Sequence, residues 1–188
     1  MALVASLSEV SREQVKYAQM KGVQTVTVPT EDITGFIHNG AQSGRQREQE
    51  LIDQAVSIIN SGQDVIIVSS VSLDRAEMDK IDIAARECGM TRVQVSKIVL
   101  KYMGRIMAGV MERVQISGIF VTGGDTTMGF LSEVGATGLR IVSEVLIGIP
   151  MTRIVGGKYD NTKVITKAGA FGQNDALFFC MRKLKEVN

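Results

Sequence analysis

The chain has 188 residues, 45% of them apolar, and its 21 basic and 20 acidic side chains leave a net charge of only +1. This composition excludes a disordered chain, argues against a general nucleic-acid binder, and suits one globular domain. Two distant cysteines exclude a disulfide framework and a zinc ribbon, while the lack of a long apolar run or a basic leader excludes a membrane helix and a signal peptide. We therefore expect a soluble, cytoplasmic protein whose partners include neither nucleic acid nor a membrane.

The first elements alternate between strand and helix. Residues 3–5 predict a short strand, and the next helix is expected to begin at Ser11, which has the spacing of a capping box with Gln14. Residues 23–28 predict a second strand. The polar stretch 30–44 has few apolar residues, and we expect a surface loop there.

The middle of the chain contains the longest helical pattern. A helix over residues 51–59 and a continuous apolar strand over 65–68 precede an acidic stretch, which predicts a loop and a helix. Thr91 and Gln94 repeat the capping-box spacing ahead of a periodic helix of about five turns. We interpret the methionines on its apolar face as core residues: Met103, Met107 and Met111.

The remaining elements complete the alternation. Apolar runs predict strands at residues 118–121, 139–147, 153–155 and 163–166. Asn174 or Asp175 caps a terminal helix, whose inward face carries Leu177, Cys180, Met181 and Leu184. The order of elements predicts an α/β protein, a three-layer α/β/α sandwich with a largely parallel, mixed sheet.

Charge and glycine are unevenly distributed along the chain. Residues 1–90 carry 8 basic and 13 acidic side chains, whereas residues 91–188 carry 13 and 7. Eleven of the 19 glycines fall within residues 118–172. The second half of the chain therefore suits an anionic ligand that is approached closely by the main chain.

Two glycine-rich turns each follow a predicted strand and lead into a helix, where open α/β sheets bind ligands. In the first turn, Gly123 and Gly124 allow the main chain to approach a ligand, and the amino end of the following helix suits a phosphate. The hydroxyls of Thr126 and Thr127 add donors. Asp125 either caps this helix or holds a Mg²⁺ ion beside a phosphate, and both interpretations stay open.

The second turn, residues 167–172, places Lys167 at the end of a strand and Gly169 two positions later. The ammonium group is either paired with a phosphoryl oxygen or simply solvated. Gly156 and Gly157 are more typical of a hairpin turn. Because neither GxxxxGK[ST] nor GxGxxG occurs, the pattern alone predicts only a phosphate-binding α/β domain.

His38 is the only histidine, and it lies in the predicted polar loop without metal-ligating residues at a suitable spacing. We therefore interpret it as a surface residue. No GxSxG motif supports a Ser-His-Asp triad, which argues against covalent hydrolase chemistry.

Four ordered motifs resemble those of a known family. They are residues 4–14 (VASLS, then SREQ), 119–126 (IFVTGGDT), 148–157 (GIP, then GG) and 166–172 (TKAGAFG). Together they resemble the nucleotide-binding C-terminal domain of the four-carbon acid sugar kinases, the kinases of threonate, erythronate and 3-oxo-tetronate. The resemblance covers nearly the whole chain, although Ala5 stands where the family usually has glycine.

The resemblance implies that residues 1–188 form a single nucleotide-binding domain with ATP and Mg²⁺ as cofactors. It implies ATP contacts from Ser6 or Ser8, Gly123, Gly124, Asp125, Thr126 and Gly169. Lys167 joins this set through its place in the second turn, and Asp125 is the candidate Mg²⁺ ligand. No catalytic residue is identified.

In this family, an N-terminal domain binds the sugar acid and opens with a DDxTG motif, and that domain is absent from this sequence. Residues 31–35 (EDITG) imitate the motif but fall in the predicted polar loop, so we interpret the match as coincidence. The resemblance therefore implies a C-terminal part of a two-domain kinase that binds nucleotide but does not turn over alone. A homodimer is compatible with it.

Two other functions remain open. The first is a non-catalytic nucleotide-binding or regulatory module that keeps the fold without the chemistry. The second is a dinucleotide-dependent oxidoreductase domain, which is disfavoured because the GxGxxG turn is lacking.

Overall fold

A computed structural model describes residues 1–40 and 44–186. Its strands are β1 Ala2–Val4, β2 Gln24–Val28, β3 Val65–Ser69, β4 Ile119–Thr122, β5 Gly138–Leu146, β6 Ile149–Val155 and β7 Lys163–Lys167. Its helices are α1 Glu9–Met20, α2 Thr30–Asn39, α3 Arg45–Asn60, α4 Ser70–Leu73, α5 Met78–Glu87, α6 Arg92–Arg113, α7 Gly124–Glu133 and α8 Ala176–Lys183. Within these described ranges, no helix is long and apolar enough to cross a membrane.

The seven strands form one sheet in the order β2-β3-β1-β4-β7-β6-β5. The five strands from β2 to β7 in this order are parallel, whereas β6 is antiparallel to both of its neighbours. The prediction of a largely parallel, mixed sheet in an α/β protein is confirmed. Because parallel strands end at the same side of a sheet, the loops after β1, β4 and β7 are neighbours there, and we call this side the carboxyl edge.

Helices cover both faces of the sheet. Along β1, Ala2 and Val4 pack in the core formed with α1 and α8, whereas Leu3 packs in the core formed with α2, α3, α5, α6 and α7. This alternation explains why the strands read as continuous apolar runs. It also confirms the three-layer sandwich. The four residues predicted to face inward at the end of the chain are buried: Leu177, Cys180, Met181 and Leu184.

The longest helix, α6, begins as the sequence predicts. The Gln94 N–H donates to the Thr91 hydroxyl at 3.3 Å, and the Thr91 N–H donates to the Gln94 side-chain oxygen at 2.8 Å. These two bonds form a complete capping box. The interpretation of its methionines as core residues is also confirmed, because all three are buried: Met103, Met107 and Met111.

The predicted surface loop over residues 30–44 is wrong, because its first ten residues form α2. The buried face of this helix carries Ile33, Phe36 and Ile37, which are spaced by three and four positions. One such stripe is enough to hold a short amphipathic helix against the core, even though the stretch as a whole is polar. The EDITG sequence therefore lies in the first turns of a helix, while the loop prediction for residues 41–43 lies outside the described residues.

Helix α1 starts earlier than predicted. Its N-cap is Ser8, whose side chain makes no capping hydrogen bond. Ser11 and Gln14 lie inside the helix and are buried, so the capping box predicted for them is wrong. Because polar side chains are costly to bury without partners, these two residues require hydrogen bonds elsewhere in the fold.

Candidate functional site

Three loops that the sequence marks as phosphate-binding candidates meet at the carboxyl edge. The loop after β1 holds Ser6 and Ser8, the turn after β4 begins at Gly123, and the loop after β7 comprises residues 168–172. β1, β4 and β7 are consecutive in the sheet, so each loop adjoins the next. The Gly123 N–H donates to the carbonyl oxygen of Lys167 at 2.8 Å and ties the second loop to the third. The fold thus brings together candidate residues from motifs that are far apart in sequence.

The turn after β4 leads directly into the amino end of α7. Gly123 has a φ of +100°, a conformation that L side chains rarely adopt, so glycine is required there. Gly123 occupies the N-cap position, and α7 begins at Gly124 with no side-chain capping bond. The interpretation of Asp125 as the helix cap is therefore wrong. A helix start without a side-chain cap offers main-chain N–H groups to an anion.

The two threonines of this turn have different roles. Both are buried, and the Thr127 hydroxyl donates to the Gly123 carbonyl oxygen at 2.9 Å. That bond stabilises the turn from within. The Thr126 hydroxyl lies beneath Gly123, because a Cβ atom built on this glycine would come within 3.0 Å of the hydroxyl oxygen. Thr126 therefore borders the main chain that a ligand would approach.

The loops after β1 and β7 approach each other through a glycine. A Cβ atom built on Gly169 would lie 2.5 Å from the Ser6 hydroxyl oxygen and 3.4 Å from the Cβ of Ser8. The Ser6 hydroxyl also accepts a hydrogen bond from the Ser8 N–H at 3.3 Å. A side chain at position 169 would therefore displace the Ser6 hydroxyl, and both serines lie beside Gly169 at the carboxyl edge.

Sequence reasoning missed two residues that hold this region together. The Ser11 hydroxyl donates to the Gly169 carbonyl oxygen at 2.9 Å. The Gln14 side-chain amide donates to the carbonyl oxygens of Phe171 and Gln173 at 3.0 and 2.8 Å. One signal for them was present in the sequence, since the SREQ motif belongs to the family resemblance. The same spacing also fits a capping box, so the sequence alone does not predict the tertiary hydrogen bonds of these residues.

The Lys167 ammonium group is not solvated, and it is already hydrogen-bonded within the protein. It is only 2% exposed, and its ammonium group donates to the carbonyl oxygens of Ala168, Gly169 and Phe171 at 3.0, 2.9 and 3.1 Å. These bonds match the three N–H donors of a lysine. Burial lowers the pKa of Lys167 to about 8. Lys167 therefore shapes the loop after β7, and its direct contact with a phosphate stays a prediction.

The glycines of the third motif, residues 148–157, lie at opposite ends of the sheet. Gly148, between β5 and β6, has a φ of +73° and adjoins the Phe171 ring, which a Cβ atom on this glycine would approach to 3.1 Å. It therefore supports the loop after β7. Gly156 and Gly157 follow β6, which runs against the parallel strands, so they lie at the opposite edge. The prediction of a hairpin turn at these two residues is confirmed by the antiparallel pairing of β6 with β7.

Asp125 is the residue of this site that suits a metal ion. Its side chain is exposed in the first turn of α7, and it forms no ion pair with a residue in the described parts of the chain. Across residues 1–40 and 44–186, no group of three or more His, Cys, Asp or Glu side chains could hold a metal ion. Mg²⁺ is commonly bound through one or two carboxylates together with phosphate oxygens and water. A single carboxylate beside a phosphate site fits that pattern.

His38 lies away from the carboxyl edge, in the last turn of α2. Its Nδ1 is 3.3 Å from the Cys88 sulfur, and its Nε2 is 3.4 Å from a carboxylate oxygen of Glu87. The imidazole is partly exposed, with 38% of the side-chain surface accessible. This position agrees with the interpretation of His38 as a surface residue.

Curated kinases are similar to all or to part of this chain. A D-threonate kinase from Salmonella typhimurium is 28% identical over 188 residues, which are 100% of this chain and 43% of that protein. A 3-oxo-isoapionate kinase from Paraburkholderia graminis is 23% identical over 182 residues, 96% of this chain and 37% of that protein. A D-erythronate kinase from Heliobacterium modesticaldum is 31% identical over a shorter stretch of 67 residues, 36% of this chain and 15% of that protein. The chain thus spans less than half the length of these relatives.

Solved structures share the fold. A DUF1537 protein from Bordetella bronchiseptica, crystallised with citrate as a domain-swapped dimer, matches 98% of this chain and 40% of its own, with a TM-score of 0.72 and 18% identity. A DUF1537 protein from Haemophilus influenzae matches 97% of this chain and 39% of its own, with a TM-score of 0.66 and 19% identity. At these identities the likeness concerns the fold alone.

A family model assigns the chain more directly. The model describes a nucleotide-binding C-terminal domain, and it matches residues 1–177. The match includes the loops after β1, β4 and β7, which form the carboxyl edge. With kinases of threonate and erythronate among its relatives, the chain belongs to the nucleotide-binding C-terminal domain family of the four-carbon acid sugar kinases.

Proposed function

We propose that residues 1–188 act as one domain that binds Mg·ATP at the carboxyl edge, as the nucleotide part of a kinase for a four-carbon sugar acid. The observation that carries this proposal is the first turn of α7, which has no side-chain cap and lies between the loops after β1 and β7. Gly123 and Gly124 leave the main chain there without side chains. Threonate, erythronate and 3-oxo-tetronate are the candidate substrates.

Each loop contributes a different part of the phosphate site. The main-chain N–H groups of α7 face the phosphates, with the hydroxyls of Ser6 and Ser8 on one side. On the other side, Gly169 allows the loop after β7 to approach, and Lys167 keeps that loop in its bent form through three hydrogen bonds. Donors fixed in this way stabilise phosphate charge without having to reorganise when the nucleotide binds.

Two residues in the first turn of α7 would hold Mg²⁺ against the bound phosphates: Asp125 and Thr126. When bound, the ion neutralises charge on the phosphoryl group that is transferred. The carboxylate has a second effect that does not involve the metal, since it repels a phosphate that arrives without a cation. Asp125 therefore favours the magnesium complex of the nucleotide over the free nucleotide.

The sugar acid is bound, in this proposal, by a separate domain rather than by residues 1–188. Phosphoryl transfer to a hydroxyl depends mainly on positioning and on charge neutralisation, and it also needs a group that orients the attacking hydroxyl. The loops after β1, β4 and β7 hold no histidine, and Asp125 is their one carboxylate in sequence. We therefore expect the isolated chain to bind nucleotide without phosphorylating a sugar acid.

Calorimetric titration of the 188-residue chain with Mg·ATP and, separately, with NADH tests the binding step. We expect binding of Mg·ATP and none of NADH, and the reverse result would support an oxidoreductase domain instead. Phosphorylation of threonate and erythronate is then measured with the chain alone and with a sugar-acid-binding domain of a relative added. Activity only in the mixture supports the proposal. Nucleotide binding without activity in either assay would favour a non-catalytic module.

Two further parts of this proposal concern location and assembly. A cytoplasmic location suits an ATP-dependent reaction, and Cys88 and Cys180 are free thiols, as expected in a reducing compartment. A homodimer is proposed because the similar Bordetella structures are described as domain-swapped dimers. Light scattering should then give twice the chain mass of 20.4 kDa, and a monomer mass would contradict this part of the proposal.

A further inference from the structure

The proposed phosphate site has too little positive charge of its own. The phosphates of a nucleoside triphosphate carry several negative charges, and Asp125 adds another. All three N–H donors of Lys167 are directed at carbonyl oxygens. The loops at residues 5–8, 123–126 and 168–172 contain no other lysine or arginine. A bound Mg²⁺ ion offsets two of these negative charges, and the protein cations that balance the rest must come from a neighbouring element.

A cavity beside α7 contains such cations. This cavity has a volume of about 520 Å³ and lies between α6 and α7. Asp125, Met128 and Glu133 line it from α7, while Lys97 and Lys101 line it from α6. The two lysines are four positions apart, so they lie on the same face of their helix. Both are exposed, and neither forms an ion pair with any residue at positions 1–40 or 44–186.

Close packing of α6 on α7 brings Lys97 to the carboxyl edge, with Lys101 one turn further along α6. A Cβ atom on Gly129 would lie 3.0 Å from the Cβ of Leu100, and one on Gly104 would lie 3.1 Å from the Gly129 carbonyl oxygen. The helices run in the same direction, because α6 leads into β4 and α7 leaves it. Lys97 precedes Leu100 by three residues, and Asp125 precedes Gly129 by four. Lys97 is therefore level with the first turn of α7.

We propose that Lys97 and Lys101 bind the outer phosphates of the nucleotide from the α6 side of the cavity. This inference rests on the proposed function, and it adds two residues that none of the four sequence motifs contains. Lysine suits this role because its ammonium group is a compact charge on a flexible stem that can follow a phosphate. The two lysines contact the outer phosphates, which AMP lacks, so they favour the binding of ATP over that of AMP.

The test compares two double variants with the same change in net charge. Lys97→Glu/Lys101→Glu reverses the charge in the cavity, whereas Lys158→Glu/Lys183→Glu reverses two exposed lysines near the opposite edge of the sheet. The titrants are Mg·ATP, AMP and inorganic tripolyphosphate, at low and at high salt. We expect the first variant to lose at least about tenfold in affinity for Mg·ATP and tripolyphosphate, with AMP unchanged. We expect the salt dependence of ATP binding to decrease in Lys97→Gln/Lys101→Gln.

The outcomes separate this inference from the function on which it rests. If the unaltered chain binds Mg·ATP and both Glu variants bind it equally well, the lysine contact is wrong and the nucleotide site stands. An equal loss for ATP and AMP in the cavity variant would indicate a structural defect, and it would also overturn the contact. If the unaltered chain binds neither Mg·ATP nor tripolyphosphate, both proposals fail.

Discussion

The hydroxyl oxygen of Ser6 occupies the space that a side chain on Gly169 would need, at 2.5 Å from the expected Cβ position. Ser6 follows β1 and Gly169 follows β7, and β4 lies between these strands in the sheet. The two loops therefore meet above the end of β4, next to the amino end of α7. Whatever binds at that helix end is bordered by both loops, so the distance between the loops sets the size of the site.

Gly169→Ala should displace the Ser6 hydroxyl from its place between these two loops. A contact of 2.5 Å cannot persist, so the Ser6 hydroxyl must rotate away and give up the hydrogen bond from the Ser8 N–H. We expect the loss of this hydrogen bond to lower the free energy of unfolding by about 0.5–1.5 kcal/mol, and we expect the affinity for Mg·ATP to decrease. Urea unfolding and calorimetry measure the two effects.

The double variant Ser6→Ala/Gly169→Ala identifies the cause of that loss. Removing the hydroxyl oxygen removes the closest contact, because the Cβ of Ser6 is 3.6 Å from the added carbon. Both single substitutions lose the same hydrogen bond, so the double variant should lose less stability than the sum of the two single losses. Additive losses would show that the two residues do not clash and would contradict this explanation.

Gln14→Ala should destabilise the loop after β7 from the side of α1. The substitution removes one donor from each of the carbonyl oxygens of Phe171 and Gln173, and it opens space at a fully buried position. The Phe171 oxygen keeps Lys167 as a donor, and the Gln173 oxygen keeps the Ala176 N–H. We expect a loss of about 1–3 kcal/mol in the free energy of unfolding, together with weaker binding of Mg·ATP. Gln19→Ala, at an exposed position of the same helix, is the control and should change stability by less than about 0.5 kcal/mol. Equal effects of the two substitutions would contradict the role of Gln14.

Local patterns were sufficient to predict most of the fold. Continuous apolar runs indicated strands buried on both faces, and the alternation with helices indicated a parallel sheet between two helical layers. Helix α2 was missed because Ile33, Phe36 and Ile37 are few within a polar stretch, although their spacing is helical. For this segment, the spacing of the apolar residues is a better predictor of a helix than the polar composition is of a loop.

A part of the candidate site could be predicted where its sequence motif fits only one local structure. It could not be predicted where the motif fits two. The glycine turn after β4 follows from a strand, a glycine pair and a helix in sequence. The spacing of Ser11 and Gln14 fits a helix cap as well as a pair of tertiary hydrogen bonds, and only the fold distinguishes these. The same holds for Lys167, because the three carbonyl oxygens that surround it are brought there by the bend of its own loop.

Lys167 should make the stability of the protein depend on pH above neutrality. Burial lowers its pKa from 10.5 to about 8, so the folded chain releases this proton at a lower pH than the unfolded chain does. The unfolded state then binds more protons between these two values, and the free energy of unfolding rises with pH there, by at most ~1.4 kcal/mol per pH unit. Lys167→Met lacks this contribution, so its stability should rise less with pH than that of the unaltered chain.

Urea unfolding at about pH 7.5 and about pH 9.5 measures this difference, with Lys16→Met as an exposed control. If the free energy of unfolding changes equally with pH in Lys167→Met and in the unaltered chain, the prediction is contradicted.

Gly124→Ala separates binding from folding most directly. A Cβ atom on Gly124 meets nothing within 4 Å and its φ does not lie in the left-handed region, so the substitution should leave stability within about 0.5 kcal/mol of the unaltered chain. The new methyl group nevertheless stands at the exposed start of α7, between the main-chain N–H groups and a phosphate that approaches them. We expect the dissociation constant for Mg·ATP, measured by calorimetry, to rise at least about tenfold.

Gly138→Ala is the control, because its added Cβ atom also meets nothing within 4 Å but lies at the start of β5. This variant should bind Mg·ATP as the unaltered chain does. If both variants bind equally, no phosphate lies at the amino end of α7, and the nucleotide must be sought elsewhere on the carboxyl edge.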